Sequence, residues 1–188
     1  SDFGDGSTHQ SVEDVAIMRA IPNMTVLVPA DGTEVRKMTR KICEYNGPVY
    51  MRINRNDLPD VVREDHDFEI GKPYIIRDGS DIVIYANGIM VSRALQAAEQ
   101  LEKENISARV VNVSSLKPVD ENSIKKFAAG VKGIITAEEH SLIGGLANWI
   151  TYILRGSGIP VSEIGIEDKF GQSGHDYDEL LKAYGLTA

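Results

Sequence analysis

Three polar side chains occupy short motifs from which they could bind a small, oxygen-rich molecule: Asp5 in Gly-Asp-Gly, His9 in Thr-His-Gln, and Arg55 before Asn-Asp-Leu-Pro. An arginine is a planar, permanently charged donor that suits phosphate, a histidine adds a donor near neutral pH, and a carboxylate accepts from hydroxyls. The same contexts also fit a turn, a solvated loop and a charged strand end. The residues alone therefore leave a structural interpretation open beside the chemical one.

A second polar cluster, Glu138-Glu139-His140, ends a predicted strand and has the composition of a metal or acid–base site. Successive side chains of a strand point in different directions, which favours a structural or interface role for the cluster. The pair Gly144-Gly145 follows and could open a phosphate-binding helix. Helix packing against a sheet is the interpretation that we favour for these two glycines.

Helix and strand patterns alternate along almost the whole chain, which predicts an α/β fold built on parallel sheets. Before residue 56 we predict a helix capped at Ser11, a strand at 24–29, a helix capped by Asp31 with Glu34 in a capping box, and a strand at 49–54. After residue 72 we predict two strands around a tight Asp78-Gly79 turn, strands at 108–116, 133–140 and 162–168, and helices at 89–104, from 118, at 142–156 and at 176–186.

The predicted elements divide the chain into two domains joined by a linker. Residues 1–55 hold only two strands and two helices, too few to close a core on both faces of a sheet, so they are interpreted as the C-terminal half of a larger domain. Residues 56–71 are polar, contain a charge run and are interpreted as the linker. Residues 72–188 suffice for a complete small doubly wound α/β domain.

Composition excludes several functional classes. The formal net charge of −8 and the pI of about 5.0 argue against sequence-independent nucleic-acid binding, which needs a basic surface. No window of about 18 apolar residues predicts a membrane span, and the first ten residues lack the pattern of a signal peptide. The single cysteine, Cys43, allows no intrachain disulfide and no cysteine-based metal site. These features predict a cytoplasmic protein.

The segment GDGSTHQSVEDVAIMRAIPNMTVLVPADGTEV (4–35) closely resembles the pyrimidine-binding domain of transketolases. The similar family pattern is an acidic Gly-Asp-Gly segment with Thr-His-Gln, a helix, Arg-x-x-Pro-Asn-Met, a strand and Pro-Ala-Asp. The strand ending in Arg55 and followed by a polar pair and Leu-Pro also resembles this family. Further on, ARVVNVSSLKPVD, TAEEHSLIGGL and FGQSG resemble its C-terminal domain, especially in the split form that two genes encode.

The resemblance implies a function for the three motif residues. In transketolases an aspartate at the position of Asp5 contacts the C2 hydroxyl of the substrate sugar, and residues at the positions of His9 and Arg55 bind its terminal phosphate. The implied reaction is the transfer of a two-carbon ketol unit between sugar phosphates, in the pentose phosphate pathway, with thiamine diphosphate and Mg²⁺ as cofactors. The implied partners are an N-terminal transketolase half or subunit and a second copy in a homodimer.

The resemblance also implies that this chain lacks the cofactor-activating machinery. The family's glutamate on the pyrimidine ring lies upstream, and its Gly-Asp-Gly and Asn metal motif lies in the other half of the enzyme. Gly4-Asp5-Gly6 has no downstream Asn at the metal-motif spacing. We therefore assign no catalytic, cofactor-binding or metal-binding residue, and expect no cofactor binding and no activity from this chain alone.

Two other functions remain open at this point. A 1-deoxy-D-xylulose-5-phosphate synthase shares the Thr-His core, although Gln10 stands where that family usually has another histidine. A 2-oxo acid dehydrogenase β-subunit fits less well around the histidine. The chain could also be a non-catalytic dimerisation or regulatory module, because the family's C-terminal domain lies away from the chemistry.

Overall fold

The computed structural model describes residues 5–188, so the first four positions of the predicted 1–55 domain lie outside the described residues. A 3-10 turn, Ser7–His9, precedes the first helix. The helices are α1 Asp14–Ala20, α2 Gly32–Glu44, α3 Met90–Lys103, α4 Glu121–Ala128, α5 Leu146–Ile153 and α6 Tyr177–Ala183. The strands are β1 Thr25–Leu27, β2 Val49–Met51, β3 Tyr74–Arg77, β4 Ile82–Ala86, β5 Ala108–Asn112, β6 Ser115–Lys117, β7 Gly133–Ser141 and β8 Val161–Ile166.

The described strands form two sheets, which confirms the predicted α/β fold class. The larger sheet has the order β3-β5-β4-β7-β8, with all of its neighbours parallel except the edge pair β3 and β5. The smaller sheet has the order β2-β1-β6, in which β1 and β2 are parallel. Between residues 5 and 188 the chain contains no helix with the length and apolar character that a membrane span requires.

Two predictions about strands need correction. The predicted strands on either side of Asp78-Gly79 are present, but they do not form a hairpin, because β3 pairs with β5 instead. The turn crosses the start of β5, where a Cβ atom on Gly79 would lie 2.3 Å from the carbonyl carbon of Ala108. The predicted strand at 108–116 is two strands, since the chain leaves the larger sheet after Asn112 and pairs antiparallel with β1 through β6.

The predicted cap of α2 is present, whereas the predicted cap of α1 is not. Asp31 caps α2, since its Oδ1 accepts from the backbone N–H of Glu34 at 2.8 Å. The Glu34 carboxylate accepts from the N–H of Ala30 at 2.7 Å, one residue before the position that a capping box would give. Helix α1 begins at Asp14, three residues after Ser11, and its N-cap residue makes no side-chain capping bond.

The segment 56–71 contains no helix or strand, but it packs closely against the smaller sheet and α2. Val62 and Phe68 are buried, and Phe68 lies in a small core with Leu27 and Met38. The other Asp31 carboxylate oxygen accepts from the N–H groups of residues 61 and 62, at 2.7 Å each. Although the domain boundaries stay a prediction, these contacts hold the predicted linker in one position.

Candidate functional site

Two of the three predicted site residues contact each other. Arg55 lies four residues after the end of β2, and its Nη1 donates to the Asp5 carboxylate at 2.8 Å. Both side chains are largely open to solvent, at 69% and 46% exposed. An exposed arginine–carboxylate pair of this kind remains accessible to a competing anion such as phosphate.

His9 lies at the end of the 3-10 turn, where its Nδ1 is 3.1 Å from the Thr8 hydroxyl. Its ring lines a cavity of about 190 Å³ together with Ile53 and Asn54, the two residues that precede Arg55. Arg55 itself does not line this cavity. The structure therefore places His9 beside the segment that carries Arg55, with Asp5 across from Arg55 on the opening loop.

The cavity lies where both sheets end. One wall comes from Val28 and Pro29, which follow β1, and from the residues that follow β2. The other wall comes from Gly88 and Ile89, which follow β4, and from Glu139 near the end of β7. In the larger sheet, β4 lies between β5, which follows it in the chain, and β7, which comes later. The chain therefore continues on opposite sides of β4, and this edge is the topological switch point of the sheet. Ligands of open α/β sheets bind in such crevices.

Arg52 joins the walls of the cavity, and the sequence analysis did not identify it. Its Nη1 donates to the carbonyl of Glu139 at 2.8 Å, and its Nη2 donates to the carbonyl of Ser11 at 3.0 Å. Its Nε lies 3.1 Å from the Asp14 carboxylate, which also accepts from the Tyr50 hydroxyl at 2.6 Å. The available signal was an arginine inside the predicted strand at 49–54, because buried arginines usually have partners.

Asn54 shapes the backbone next to Arg55. Its side-chain oxygen accepts from the backbone N–H of Asn56 at 2.9 Å, closing an Asx turn around Arg55. Its side-chain nitrogen donates to the hydroxyl of Tyr177 at 2.7 Å and lies 3.3 Å from a Glu139 carboxylate oxygen. Burial is the main reason why the pKa of Tyr177 is raised, so this hydroxyl stays protonated.

The loop that contains FGQSG packs against the loop that carries Asp5 and His9. A Cβ atom on Gly171 would lie 2.7 Å from Oε1 and 3.1 Å from Cβ of Gln10, which is buried. A Cβ atom on Gly6 would lie 3.2 Å from the Ser173 hydroxyl, and Gly6 has a φ of +78°. These close approaches give Gly171 and Gly6 a packing role beside the candidate site.

Glu138 and His140 serve the structure, as their position in a strand indicated. The Glu138 carboxylate accepts from the N–H groups of Leu146 and Ala147 at 2.7 and 2.9 Å, at the start of α5. A Cβ atom on Gly145 would lie 2.1 Å from that carboxylate, so only glycine lets it reach the helix. Burial outweighs these hydrogen bonds and raises the pKa of Glu138 to about 7. Burial lowers the pKa of His140, whose Nε2 lies 3.4 Å from the Ala16 N–H.

A larger open groove, of about 700 Å³, lies between residues 56–59 and the first turns of α3 and α6. Its volume exceeds that of the cavity beside His9, but none of the three predicted site residues lines it. Four carboxylates and two cationic side chains line this groove, and such an excess of negative charge does not suit a phosphate ester. The charged lining residues are Asp57, Asp176, Asp178, Glu179, Arg93 and Lys182.

Within residues 5–188, no group of three His, Cys, Asp or Glu side chains is placed to hold a metal ion. A Mg²⁺ ion that binds a diphosphate needs hard oxygen ligands, usually carboxylates. The described part of the chain therefore does not fit the metal–diphosphate end of a thiamine cofactor.

Comparisons with known proteins agree with the fold and with the sequence motifs. Residues 3–61 match the family model "Transketolase, pyrimidine binding domain", and residues 71–188 match "Transketolase, C-terminal domain". The "Putative transketolase C-terminal section" of Methanocaldococcus jannaschii is 45% identical over 186 residues, which cover 97% of this chain and 58% of that protein. The chain thus spans little more than half of this relative.

Two further similarities bear on the alternatives. A 1-deoxy-D-xylulose-5-phosphate synthase of Heliobacterium modesticaldum is 39% identical over 188 residues, covering 98% of this chain and 29% of that enzyme. A solved structure described as "Split gene transketolase, inactive beta4 tetramer" superposes with a TM-score of 0.89 at 43% identity, covering 96% of this chain and 59% of that chain. The chain belongs to the transketolase family, as its motifs predicted.

Proposed function

We propose that this chain is part of the C-terminal component of a transketolase that transfers a two-carbon ketol unit from a ketose phosphate to an aldose phosphate. In this proposal Arg55 and His9 bind the terminal phosphate, and Asp5 accepts a hydrogen bond from the sugar's C2 hydroxyl. Thiamine diphosphate supplies the carbanion chemistry when the complete enzyme holds it. The residues of this chain bind and orient the sugar phosphate, while an N-terminal component supplies the groups that activate the cofactor.

The observation that carries the proposal is the contact between Asp5 and Arg55 beside the cavity that His9 lines. These residues come from the opening loop and from the segment after β2, which are far apart in sequence. An incoming phosphate can compete with the Asp5 carboxylate for the Arg55 guanidinium, and the same carboxylate can accept from a sugar hydroxyl. Both side chains are open enough to solvent for a ligand to reach them.

A 1-deoxy-D-xylulose-5-phosphate synthase component is the second candidate, supported by the relative at 39% identity. Both reactions need a phosphate site, so Arg55 and His9 do not distinguish them. The choice of donor does, because a transketolase uses a ketose phosphate whereas the synthase uses pyruvate. Gln10, which is buried against Gly171, is the sequence difference that favours the transketolase.

The test is a two-substrate comparison on the complete enzyme, with this chain in its full-length form mixed with its N-terminal component. One reaction contains xylulose 5-phosphate and ribose 5-phosphate, and the other contains pyruvate and glyceraldehyde 3-phosphate. We expect turnover of the first pair. Turnover of the second pair alone would identify a synthase, and turnover of neither would favour a non-catalytic module.

The phosphate role is tested with Arg55→Met in the same assay. Because a charge-assisted hydrogen bond contributes about 1.5–3 kcal/mol, KM for xylulose 5-phosphate should rise about 10- to 100-fold. KM for hydroxypyruvate, a donor without phosphate, should stay within about twofold. Arg63→Met is the matched control, since Arg63 is also an exposed arginine paired with an aspartate, Asp65. Equal losses with both donors would contradict a phosphate contact.

A further inference from the structure

We propose that Arg52 is a positioning residue that sets the distance between the opening loop and the Arg55 segment, and so determines sugar-phosphate affinity. This inference rests on the proposed function, because it concerns the same phosphate site. It adds a residue that lines the same cavity as His9 but whose guanidinium is held by acceptors of the protein itself. The supporting observations are the three acceptors of Arg52 and its place in the chain.

The guanidinium of Arg52 is already occupied by the protein. Each of its three nitrogens has an acceptor or carboxylate within 3.1 Å: the Ser11 carbonyl, the Glu139 carbonyl and the Asp14 carboxylate. The side chain is 16% exposed, compared with 69% for Arg55. A second carboxylate, that of Glu139, lies 4.0 Å away, so its charge is balanced inside the structure. An arginine satisfied in this way orients its neighbours more readily than it binds an incoming anion.

The bonds of Arg52 reach both sides of the candidate site. Ser11 lies two residues after His9 on the opening loop, and Asp14 is the first residue of α1. Arg52 itself lies three residues before Arg55, and its backbone N–H donates to the carbonyl of Leu27 at 2.9 Å. One side chain therefore joins the loop of His9, the segment of Arg55 and the end of β7 in the larger sheet.

Loss of this side chain should move the two halves of the phosphate site relative to each other. Binding groups lose affinity steeply when their spacing changes by about 1 Å. The effect of removing Arg52 should therefore depend on Arg55. Once Arg55 no longer binds the phosphate, its position has little further influence on affinity.

The experiment measures ribose 5-phosphate binding to the complete enzyme by titration calorimetry, which requires no turnover. We expect Arg52→Gln to weaken binding about tenfold and Arg52→Lys, which keeps the positive charge but not the planar fork of donors, to weaken it about threefold. In the Arg55→Met background, Arg52→Gln should weaken binding by less than about twofold more. If Arg52→Gln does not fold, the same comparison is made with Arg52→Lys.

The matched control is Arg19→Gln. Arg19 also joins α1 to another element, since its Nη1 donates to the carbonyls of Gly144 and Gly145 in the loop between β7 and α5, but it lies at the other end of the helix. We expect this variant to unfold at a lower temperature and to bind ribose 5-phosphate with unchanged affinity. An equal loss of affinity in Arg19→Gln and Arg52→Gln would overturn the inference, because it would indicate general loosening.

Two other results would also overturn it. Unchanged binding by Arg52→Gln would show that the loop keeps its position without Arg52. If the double variant Arg52→Gln, Arg55→Met lost affinity by the product of the two single-variant factors, Arg52 would contact the phosphate itself. Absence of ribose 5-phosphate binding by the unmodified enzyme is a different failure, since it would remove the phosphate site of the proposed function and the role of Arg52 with it.

Discussion

The rim of the candidate site and the contact between the two sheets use carboxylates in opposite ways. At the rim, the Asp5 carboxylate lies in solvent with Arg55. Inside the fold, the carboxylates of Glu34, between the two sheets, and of Glu138, between β7 and the start of α5, are almost fully buried and accept hydrogen bonds from backbone or side-chain donors. Buried charged groups need fixed partners, whereas exposed ones can exchange partners at small cost. The contact between the sheets therefore maintains the structure, and the rim remains available for a ligand.

The largest expected effect is at Glu34. Its carboxylate accepts from Asn112 at 3.0 Å, from the Ser114 hydroxyl at 2.7 Å and from the Ala30 N–H at 2.7 Å. Glu34→Ala would leave these buried donors unsatisfied and should lower the free energy of unfolding by about 3–4 kcal/mol. Urea denaturation measures this change.

The control for that comparison is Glu44→Ala, an exposed position at the end of the same helix. It should change the free energy of unfolding by less than about 0.5 kcal/mol. If Glu34→Ala lowered the free energy of unfolding as little as Glu44→Ala does, the buried cluster around Glu34 would not hold the two sheets together.

Glu34 also shows which part of the fold could be predicted from the sequence. The spacing from Asp31 to Glu34 predicted the start of α2, because a helix cap depends on residues three positions apart. The same spacing could not predict Asn112 and Ser114 as partners, since they reach Glu34 only after the chain crosses from β5 to β6. That crossing lies inside ARVVNVSSL (108–116), which the sequence pattern predicted as one strand.

The residues of the candidate site also fall into two groups, those that the sequence identified and those that it did not. Asp5, His9 and Arg55 were identified through motifs, and their binding roles stay predictions. The sequence did not identify Arg52 and Asn54, because their importance depends on contacts with residues in other parts of the fold. These partners are Ser11, Glu139 and Tyr177. Motifs in one sequence indicate which groups could contact a ligand. The residues that hold those groups in place are recognised by their contacts across the fold.

The second expected effect is a pH dependence at Glu138. Burial raises the pKa of this carboxyl from its ordinary value of 4.5 to about 7, so the folded protein binds a proton that the unfolded chain has released. Its contribution to stability is therefore greatest below pH 4.5 and decreases as the pH rises to about 7. The neutral variant Glu138→Gln should lack this dependence. Relative to the unmodified protein, it should gain about 2–3 kcal/mol between pH 4.5 and 8.

The measurement is the difference in the free energy of unfolding between the two proteins across that pH range. Taking the difference removes the contributions of distant groups. The lowered pKa of His140, whose Nδ1 lies 3.7 Å from the Glu138 carboxylate, destabilises the folded protein when the pH falls below 6.5, so the range from pH 6.5 to 8 reports Glu138 most directly. Glu163→Gln, an exposed position on the neighbouring strand β8, is the control and should give a flat difference. A flat difference for Glu138→Gln as well would mean that this carboxyl is ionised across the whole range.

The smallest expected effect is at the rim. Exposed ion pairs contribute about 0–1 kcal/mol, so Asp5→Asn, Arg55→Met and the double variant should each change the free energy of unfolding by less than about 0.5 kcal/mol. The coupling energy from this double-mutant cycle should be equally small and should decrease further at high salt. A coupling above about 1.5 kcal/mol would mean that Asp5 and Arg55 form a structural contact. A phosphate would then have to break a strong ion pair before it could bind Arg55. A weak coupling, together with the rise in KM proposed for Arg55→Met, would instead locate the function of this pair in ligand binding.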